Sequence, residues 1–300
     1  MKIPIFREIF LQAWHATIQK KLPWIFGGLI GIVNLFEAHL SFDMPETPDM
    51  GALINTITQK TPEEWLWILA SLILFLLLGI LGRSNLIPAL SFVAKKNDLA
   101  NSPKSFVAIQ TNFLRGFRLE CLIFLIILST VALLSLPLWL ASMYNPGTVP
   151  LLMLLEILTL TPILIILFFV RQYALLYLLL SPVGIRGALE TSSSLFLRFL
   201  FPSLLFGLFA FTLTLSFTFL LNLVILSITL LFRTLSIPLT ETFLLLPISG
   251  FLLSWFAIFQ QALWIAFFKT IALTPDTQKT TVEEEVPLVN NKLPDSPPAQ

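Results

Sequence analysis

Four polar side chains interrupt the apolar runs of this chain and are its first candidates for chemistry. They are Asn222, Gln260, Gln261 and Glu156. Polar groups inside a membrane are energetically unfavourable, so those that are present often line a cavity for a substrate. They can instead form hydrogen bonds between neighbouring helices, each worth about 1 kcal/mol or less. For the three amides we favour hydrogen bonding within one helical hairpin, and keep a polar cavity at the membrane midplane as the alternative.

Glu156 and Arg171 stand near opposite ends of one apolar run. Glu156 follows Pro150 by roughly 9 Å of helix, at 1.5 Å per residue. We therefore expect its carboxyl group near the outer headgroups, either protonated or paired with a polar group of another span. Arg171 has a long side chain, so we expect its guanidinium group to reach the headgroups on the inner side.

Seven basic residues stand beside apolar runs and are candidates for contacts with lipid headgroups. They are Arg7, Lys20, Lys21, Arg115, Arg118, Arg186 and Arg198. Cations that flank the apolar stripe of a helix are typical of helices lying at the membrane surface.

The residues that most enzymes and metal sites use are scarce or separated. All aspartates lie outside the apolar runs, which excludes a pair of intramembrane catalytic aspartates. Two histidines, His15 and His39, and the single Cys121 do not supply a metal site or a serine-type triad. The chain has no glycine-rich phosphate loop and no basic nucleic-acid surface. We expect no catalytic residues, no cofactor, no metal and no nucleic-acid partner.

The elements that must position these residues are six apolar runs, at 23–42, 65–82, 119–141, 150–172, 202–231 and 244–271. Each is close to or above the ~18–20 residues that a helix needs to cross a hydrocarbon core. The mean hydropathy of +0.89 and the 12% share of charged residues agree with this, because both lie outside the range of soluble domains. The sequence predicts an all-α, polytopic transmembrane helical bundle with six spans.

The distribution of basic residues predicts the orientation of the spans. Lys and Arg are frequent before the first run, between runs two and three, between runs four and five, and after the last. The alternate segments contain only Lys60 and Arg233. Because positively charged segments stay on the cytoplasmic side, we expect a multi-pass protein with both termini in the cytoplasm.

The cytoplasmic segments share a pattern of a proline, an aliphatic residue followed by Gln or Glu, and a basic residue. The matching positions are Pro4, Leu11-Gln12 and Lys20, then Pro103, Ile109-Gln110 and Arg118, then Pro182, Leu189-Glu190 and Arg198. Apolar residues recur at helical spacing in each segment, which predicts an interfacial amphipathic helix with its apolar stripe toward acyl chains or the bundle. The chain is thus predicted to contain three hairpin repeats, at about 3–82, 102–172 and 181–272, each preceded by such a helix.

Two groups of short motifs carry a resemblance to a known family. The first is Arg171-Gln172-Tyr173 followed by Gly187-Ala188-Leu189-Glu190-Thr191-Ser192, and the second is Ser105-Phe106 with Ala108-Ile109-Gln110. In these segments the chain resembles the bacterial membrane domain that adjoins some glycerophosphodiester phosphodiesterases, and related six-span membrane proteins. The resemblance implies a six-span helical domain. The family's catalytic domain is a separate soluble unit that this chain does not contain, so no phosphodiesterase activity is implied.

Residues 1–272 are expected to form one membrane domain, and residues 273–300 a disordered cytoplasmic tail. The tail has a Glu283-Glu284-Glu285 run and several prolines, a composition that cannot bury enough apolar area to become ordered.

Two pairs of small residues stand four positions apart within apolar runs. They are Gly27 with Gly31 in the first run and Gly250 with Ser254 in the last. Such steps allow close approach of helices. We expect packing within the bundle, with a dimer face as the alternative.

These observations favour a non-enzymatic component of the bacterial inner membrane with a lipid-associated or scaffolding role. The expected partners are membrane lipids, with a protein partner on the cytoplasmic face as a further option. The alternative is a small-molecule or lipid transporter with a polar midplane cavity. The sequence leaves the substrate and the oligomeric state open.

Overall fold

The computed structural model describes residues 6–18, 22–42, 61–91, 106–144, 146–234 and 241–272, and these are almost entirely helical. Eight α-helices run through them: α1 (Phe6–Ile18), α2 (Leu22–Phe42), α3 (Pro62–Ser91), α4 (Phe106–Tyr144), α5 (Val149–Leu180), α6 (Ile185–Arg198), α7 (Leu200–Thr234) and α8 (Glu241–Ala272). A 3-10 turn at Pro146–Thr148 lies between α4 and α5. Lys20, Lys21 and the predicted tail at 273–300 lie outside the described residues.

Five helices in this part of the chain are long and apolar enough to cross a membrane. Their apolar segments are Trp65–Ser91 in α3, Val107–Tyr144 in α4, Val149–Leu180 in α5, Leu200–Leu230 in α7 and Pro247–Ala272 in α8. Helix α2 has a shorter described apolar stretch, Pro23–Leu35. The all-helical class and the membrane-length helices are therefore confirmed, while a sixth span stays a prediction.

Helix α8 is the centre of the bundle. Of its apolar window 67% is buried within the protein, whereas the other four membrane-length helices reach at most 17%. It packs against α1, α2, α3 and α7. A helix that is apolar on all sides is typically surrounded by other helices, and α8 is the one helix of the five that the rest of the described chain surrounds in this way.

Helices α2 and α8 approach each other through the two pairs of small residues. A Cβ atom added at Gly31 would lie 2.9 Å from the backbone nitrogen of Ser254 and 3.0 Å from the carbonyl oxygen of Gly250. One added at Gly27 would lie 3.3 Å from the Ser254 carbonyl oxygen and would overlap the Ile258 side chain. The pairs therefore face each other within one chain, so the structure uses them for packing inside the bundle.

The aromatic side chains concentrate at one end of the bundle. Phe206 stacks on Phe267 with ring centroids 3.9 Å apart and meets Trp264 edge-on at 4.9 Å. Buried Tyr173 lies against Trp264 and donates a hydrogen bond of 2.8 Å to Ser203. These contacts join α5, α7 and α8. We call this the packed end, defined by residues 84–90, 169–178 and 256–271.

The opposite end of the bundle is open. Large apolar side chains are exposed along 65–69 of α3, along 151–158 of α5 and on one side of α7, where Phe219 is 68% exposed. In a protein with membrane-length helices, such a surface is covered by lipid. Among the described residues, buried apolar side chains are therefore concentrated at the packed end.

The three segments that precede the predicted hairpins have different helix boundaries. In the third segment the helix breaks at Phe199 before α7 begins. In the second there is no break, because α4 runs without interruption from Phe106 to Tyr144. Pro202 and Pro23 stand shortly after the basic residue in the third and first segments, whereas the second has no proline there. Since proline lacks the N–H group that continues a helix, its absence explains the continuous α4.

Helices α1 and α6 each bury one face against the bundle. On α1, Ile9 and Ala13 are buried, and Phe10 lies 5.2 Å from the Phe259 ring of α8. On α6, Ala188 and Phe196 are buried. The sequence left two options for these apolar faces, acyl chains or the bundle, and the described contacts are with the bundle.

We expect Gly31→Ala to lower the free energy of unfolding by about 1–3 kcal/mol, since the new methyl group would press on α8 backbone atoms that cannot move independently. Gly28→Ala is the matched control. It adds the same group three residues earlier on the same helix, where nothing lies within 4 Å. Its unfolding should be unchanged or slightly more difficult, because alanine favours a helix over glycine. Unfolding in detergent micelles, followed by circular dichroism, measures both variants. Equal effects of the two would contradict the packing of α2 on α8.

Candidate functional site

A groove about 510 Å³ in volume lies between α3, α4 and α5. Its walls are mostly apolar, with lining residues that include Leu72, Phe75, Leu76, Ile123, Phe124 and Ile127. Three charged side chains, Arg83, Glu120 and Arg171, also line it. The volume falls within the range of roughly 300–1,000 Å³ that is typical of ligand sites. The groove is therefore the candidate functional site of the described chain.

The charged residues of the groove include a two-point ion pair. Arg171 of α5 donates from Nε to Glu120 Oε2 at 2.7 Å, and from Nη2 to Glu120 Oε1 at 2.8 Å. The side chains are 27% and 14% exposed. Parallel N–H···O bonds of this kind fix both side chains in one orientation and are stronger than neutral hydrogen bonds. The pair joins α4 to α5 and holds the Arg171 guanidinium at the groove.

Glycine contacts bring α3 close to α4, and α3 close to α2, beside the charged residues. A Cβ at Gly116 of α4 would lie 3.1 Å from Ser84 Cβ of α3 and would overlap the Ser84 hydroxyl. Gly82 of α3 is similarly close to α2, with the Phe26 carbonyl oxygen 3.1 Å from an added Cβ. Gly116 is about one helical turn before Glu120, and Ser84 follows Arg83. The groove is thus closed next to its charged residues.

The groove changes from charged to apolar along α3. Arg83 and Leu72 are separated by roughly 16 Å of helix, which is close to half of a hydrocarbon core about 30 Å thick. Leu72, Leu76, Cys121 and Phe124 line the groove and are exposed, so it opens sideways to the outer surface of the helices. A space with one charged end and apolar walls fits an amphiphile that enters from the side.

The four polar residues that the sequence singles out lie outside this groove. Ser135 of α4 donates a hydrogen bond to Glu156 of α5. Of the two expectations for this carboxyl group, the structure therefore shows the pairing with a polar group of another helix. Gln260 of α8 donates to Thr214 of α7 at 3.4 Å, and Gln261 is buried. Asn222 is exposed on α7. Among the described residues, Glu156 and Gln260 are therefore used in contacts between separate pairs of helices.

Two of the predicted headgroup contacts are exposed, and a third is used within the protein. Arg7 on α1 and Arg118 on α4 are exposed. Arg115 of α4 is half-buried and donates a hydrogen bond of 2.8 Å to the carbonyl oxygen of Val183, in the segment before α6. One nitrogen of Arg115 therefore connects α4 to the α5–α6 loop.

The remaining two predicted headgroup contacts lie on α6. Arg186 donates to Glu190 at 2.8 Å, with the side chains 92% and 65% exposed. This hydrogen bond and the negative charge of Glu190 raise the pKa of Arg186 above its usual value. The guanidinium of Arg198 lies 5.7 Å from the centre of the Phe199 ring, a distance that allows a cation–π contact.

Sequence reasoning missed the charged end of the groove. Arg171 was expected to extend to the membrane surface, but it is held by Glu120 instead. A signal was present, because Glu120 stands near the start of the third apolar run and Arg171 near the end of the fourth. The ends of two consecutive antiparallel helices lie at the same level, so opposite charges there can meet. Opposite charges at both ends of a predicted hairpin are therefore a useful search pattern.

In the described parts of the chain, His, Cys, Asp and Glu side chains do not come together in groups of three or more, so the groove has no obvious set of metal ligands. No protein-family model matches the chain, and no curated protein and no solved structure is significantly similar to it.

We expect Glu120→Gln to lower the free energy of unfolding by roughly 2–4 kcal/mol, since it leaves the Arg171 charge without its partner in a largely desolvated place. Glu190→Gln is the matched control, because it breaks a solvent-exposed pair within one helix and should change the free energy of unfolding very little. Denaturant unfolding in micelles measures both. The double variant Glu120→Arg with Arg171→Glu should recover part of the loss. If Glu120→Gln and Glu190→Gln lower the free energy of unfolding by the same amount, the pair between α4 and α5 is not a structural contact.

Proposed function

We propose that this protein is a non-enzymatic, lipid-associated component of the bacterial inner membrane, and that the groove between α3, α4 and α5 holds a membrane lipid. The observation that carries the proposal is the combination of apolar walls, a lateral opening and a charged end in one space. An acyl chain matches the apolar walls, and a polar headgroup matches the charged end. The length of the groove along α3 is that of one leaflet.

The proposal includes six spans with both termini in the cytoplasm. Support comes from the charge distribution, since Arg83 lies toward the C-terminal end of α3, and Arg115 and Arg118 lie toward the N-terminal end of α4. The charged end of the groove lies at these same helix ends. A lipid of the cytoplasmic leaflet would thus have its headgroup beside Arg83 and its chain toward the midplane.

The transporter alternative has weaker support from the described contacts. A midplane cavity would need polar side chains that face a common space, whereas Gln260 is bonded to Thr214 and Asn222 is exposed on α7. The scaffolding role, with a protein partner on the cytoplasmic face, stays a prediction. So does the resemblance to the membrane domain beside glycerophosphodiester phosphodiesterases, because no family model matches the chain.

Reporter fusions test the topology. A fusion after Asp98 should give a cytoplasmic signal, and one after Asp49 should give the signal of the opposite side, because the basic residues flank only alternate segments. Alkaline phosphatase and green fluorescent protein fusions at both positions provide the measurement. Signals from the same side at both positions would contradict the six-span arrangement.

Lipid retention tests the groove. Leu76→Trp places a bulky ring in the space and should reduce the phospholipid that remains bound after purification, as measured by native mass spectrometry. Leu74→Trp is the matched control. It lies on the same helix with similar exposure, 54% against 52%, but does not line the groove. The proposal is wrong if the unaltered protein retains no phospholipid, or if both variants retain as much as it does.

A further inference from the structure

We propose that the groove selects a lipid with a zwitterionic headgroup that carries a primary ammonium, and that the Glu120–Arg171 pair binds both of its charges. The phosphate accepts hydrogen bonds from Arg171, and the ammonium donates hydrogen bonds to Glu120. The inference rests on the proposed function and names the headgroup that the groove accepts. Arg83 also lines the groove, but it already makes an interaction within the protein. The selectivity therefore comes from the ion pair, whose own net charge is zero.

Arg171 keeps hydrogen-bond donors that match a phosphate. A guanidinium group has five N–H donors in a plane. Glu120 accepts one from Nε and one from Nη2. Nη1 therefore keeps both of its N–H groups and Nη2 keeps one, and these have no acceptor among the described residues. The side chain is 27% exposed and lines the groove. Neighbouring N–H groups on two nitrogens match the two free oxygens of a phosphodiester.

Glu120 keeps hydrogen-bond acceptors at the same place. A carboxylate has about four lone-pair positions on its two oxygens, and Arg171 uses one on each oxygen. The Glu120 side chain is 14% exposed and also lines the groove. A primary ammonium has three N–H donors and is small enough to approach a carboxylate that is largely covered. The quaternary ammonium of choline has methyl groups in place of these donors, so it cannot form the hydrogen bonds.

The neutrality of the ion pair disfavours a headgroup with a net charge. In a largely desolvated place an ion pair is favourable only when its remaining donors and lone pairs are also satisfied. A zwitterion supplies an acceptor for Arg171 and a donor for Glu120, and it adds no net charge. An anionic headgroup would satisfy Arg171 alone and would place its negative charge beside the Glu120 carboxylate, which weakens binding. In ethanolamine a short two-carbon link joins the phosphate to the ammonium, so one headgroup can reach both members of a directly bonded pair.

The apolar walls decide between a lipid and soluble phosphoethanolamine. The soluble compound would fill only the charged end of the groove and leave the apolar part of its lining uncovered. That part includes Leu72, Phe75 and Leu76 of α3 and Ile127 of α4. Contact with an acyl chain gives these side chains an apolar partner. The occupant is therefore a lipid of the leaflet at the charged end, with ethanolamine on its phosphate.

The protein contains its own reporter for this test. Cys121 is the single cysteine of the chain. It is exposed and lines the groove, directly after Glu120, so a bound lipid should shield its thiol from a maleimide. The matched control is the double variant Cys121→Ser with Leu122→Cys. It moves the thiol by one residue along α4, to an exposed position that does not line the groove.

The experiment measures the rate of alkylation in phosphatidylcholine nanodiscs that contain increasing amounts of a second lipid with the same acyl chains. Phosphatidylethanolamine should slow the alkylation of Cys121 and leave that of the control thiol unchanged. N,N-dimethyl phosphatidylethanolamine has the same charges but a single N–H donor. The amount of it needed for half protection should be roughly tenfold greater, because charge-assisted hydrogen bonds to Glu120 are lost.

The outcomes separate this inference from the proposed function. Equal half-protection points for the two ethanolamine lipids, together with lipid retention that Leu76→Trp removes, would overturn the headgroup selectivity and leave the lipid groove standing. Half protection at a lower amount of phosphatidylglycerol than of phosphatidylethanolamine would overturn the choice of a zwitterion. Protection by soluble phosphoethanolamine equal to that by the lipid would overturn the lipid as occupant. Equal slowing of Cys121 and of the control thiol would overturn the inference, because the effect would then come from the bilayer and not from the groove.

A second measurement needs no variant and serves if the control variant does not fold. The unaltered protein is purified from an equal mixture of phosphatidylethanolamine, its N,N-dimethyl form and phosphatidylglycerol, and the lipid that stays bound is identified by native mass spectrometry. Retained lipid enriched in phosphatidylethanolamine supports the inference, and unselective retention overturns it.

Discussion

The close approach of α2 and α8 is the contact on which the rest of the bundle depends. Gly27 and Gly31 leave no side chain between the two backbones, and Ser254 fills the remaining space. Lipid surrounds membrane helices with apolar groups of its own, so burial of apolar surface gives little drive to associate, and packing must supply it. Helix α8 can occupy the centre of the bundle because α2 packs so closely against it. Helices α1, α3 and α7 then pack around the α2–α8 pair.

The groove exists because α4 behaves differently from the corresponding parts of the other two segments. Proline follows the basic residue in the first and third segments, but α4 continues into the membrane-length region without a break. Glu120 therefore sits within a continuous helix, at the level of Arg171 at the other end of the α4–α5 hairpin. The Gly116–Ser84 contact draws α3 against α4 below this level. On the other side of this level, the groove is lined by larger apolar side chains such as Phe75, Leu76 and Phe124.

The described polar contacts between membrane-length helices follow from one physical constraint. Backbone groups are satisfied within each helix, so side chains alone can connect helices by hydrogen bonds. Tyr173 bonds to Ser203, and Gln260 bonds to Thr214. These are neutral pairs that satisfy each other. The Glu120–Arg171 pair differs because arginine has more donors than one carboxylate accepts, and it lies in an open groove. A structural contact of this kind leaves capacity for a ligand.

The sequence by itself determined the class of this protein, because hydrophobic length is a property of contiguous residues. It also indicated interhelical bonding for Gln260 and packing for the Gly31 step, since both follow from local residue types. Six spans, three repeats and interfacial helices stay predictions. Only the tertiary structure decided that Arg171 meets Glu120 and that α3, α4 and α5 leave a groove between them. These features depend on the rotation and spacing of helices far apart in sequence, and helical periodicity alone does not fix either.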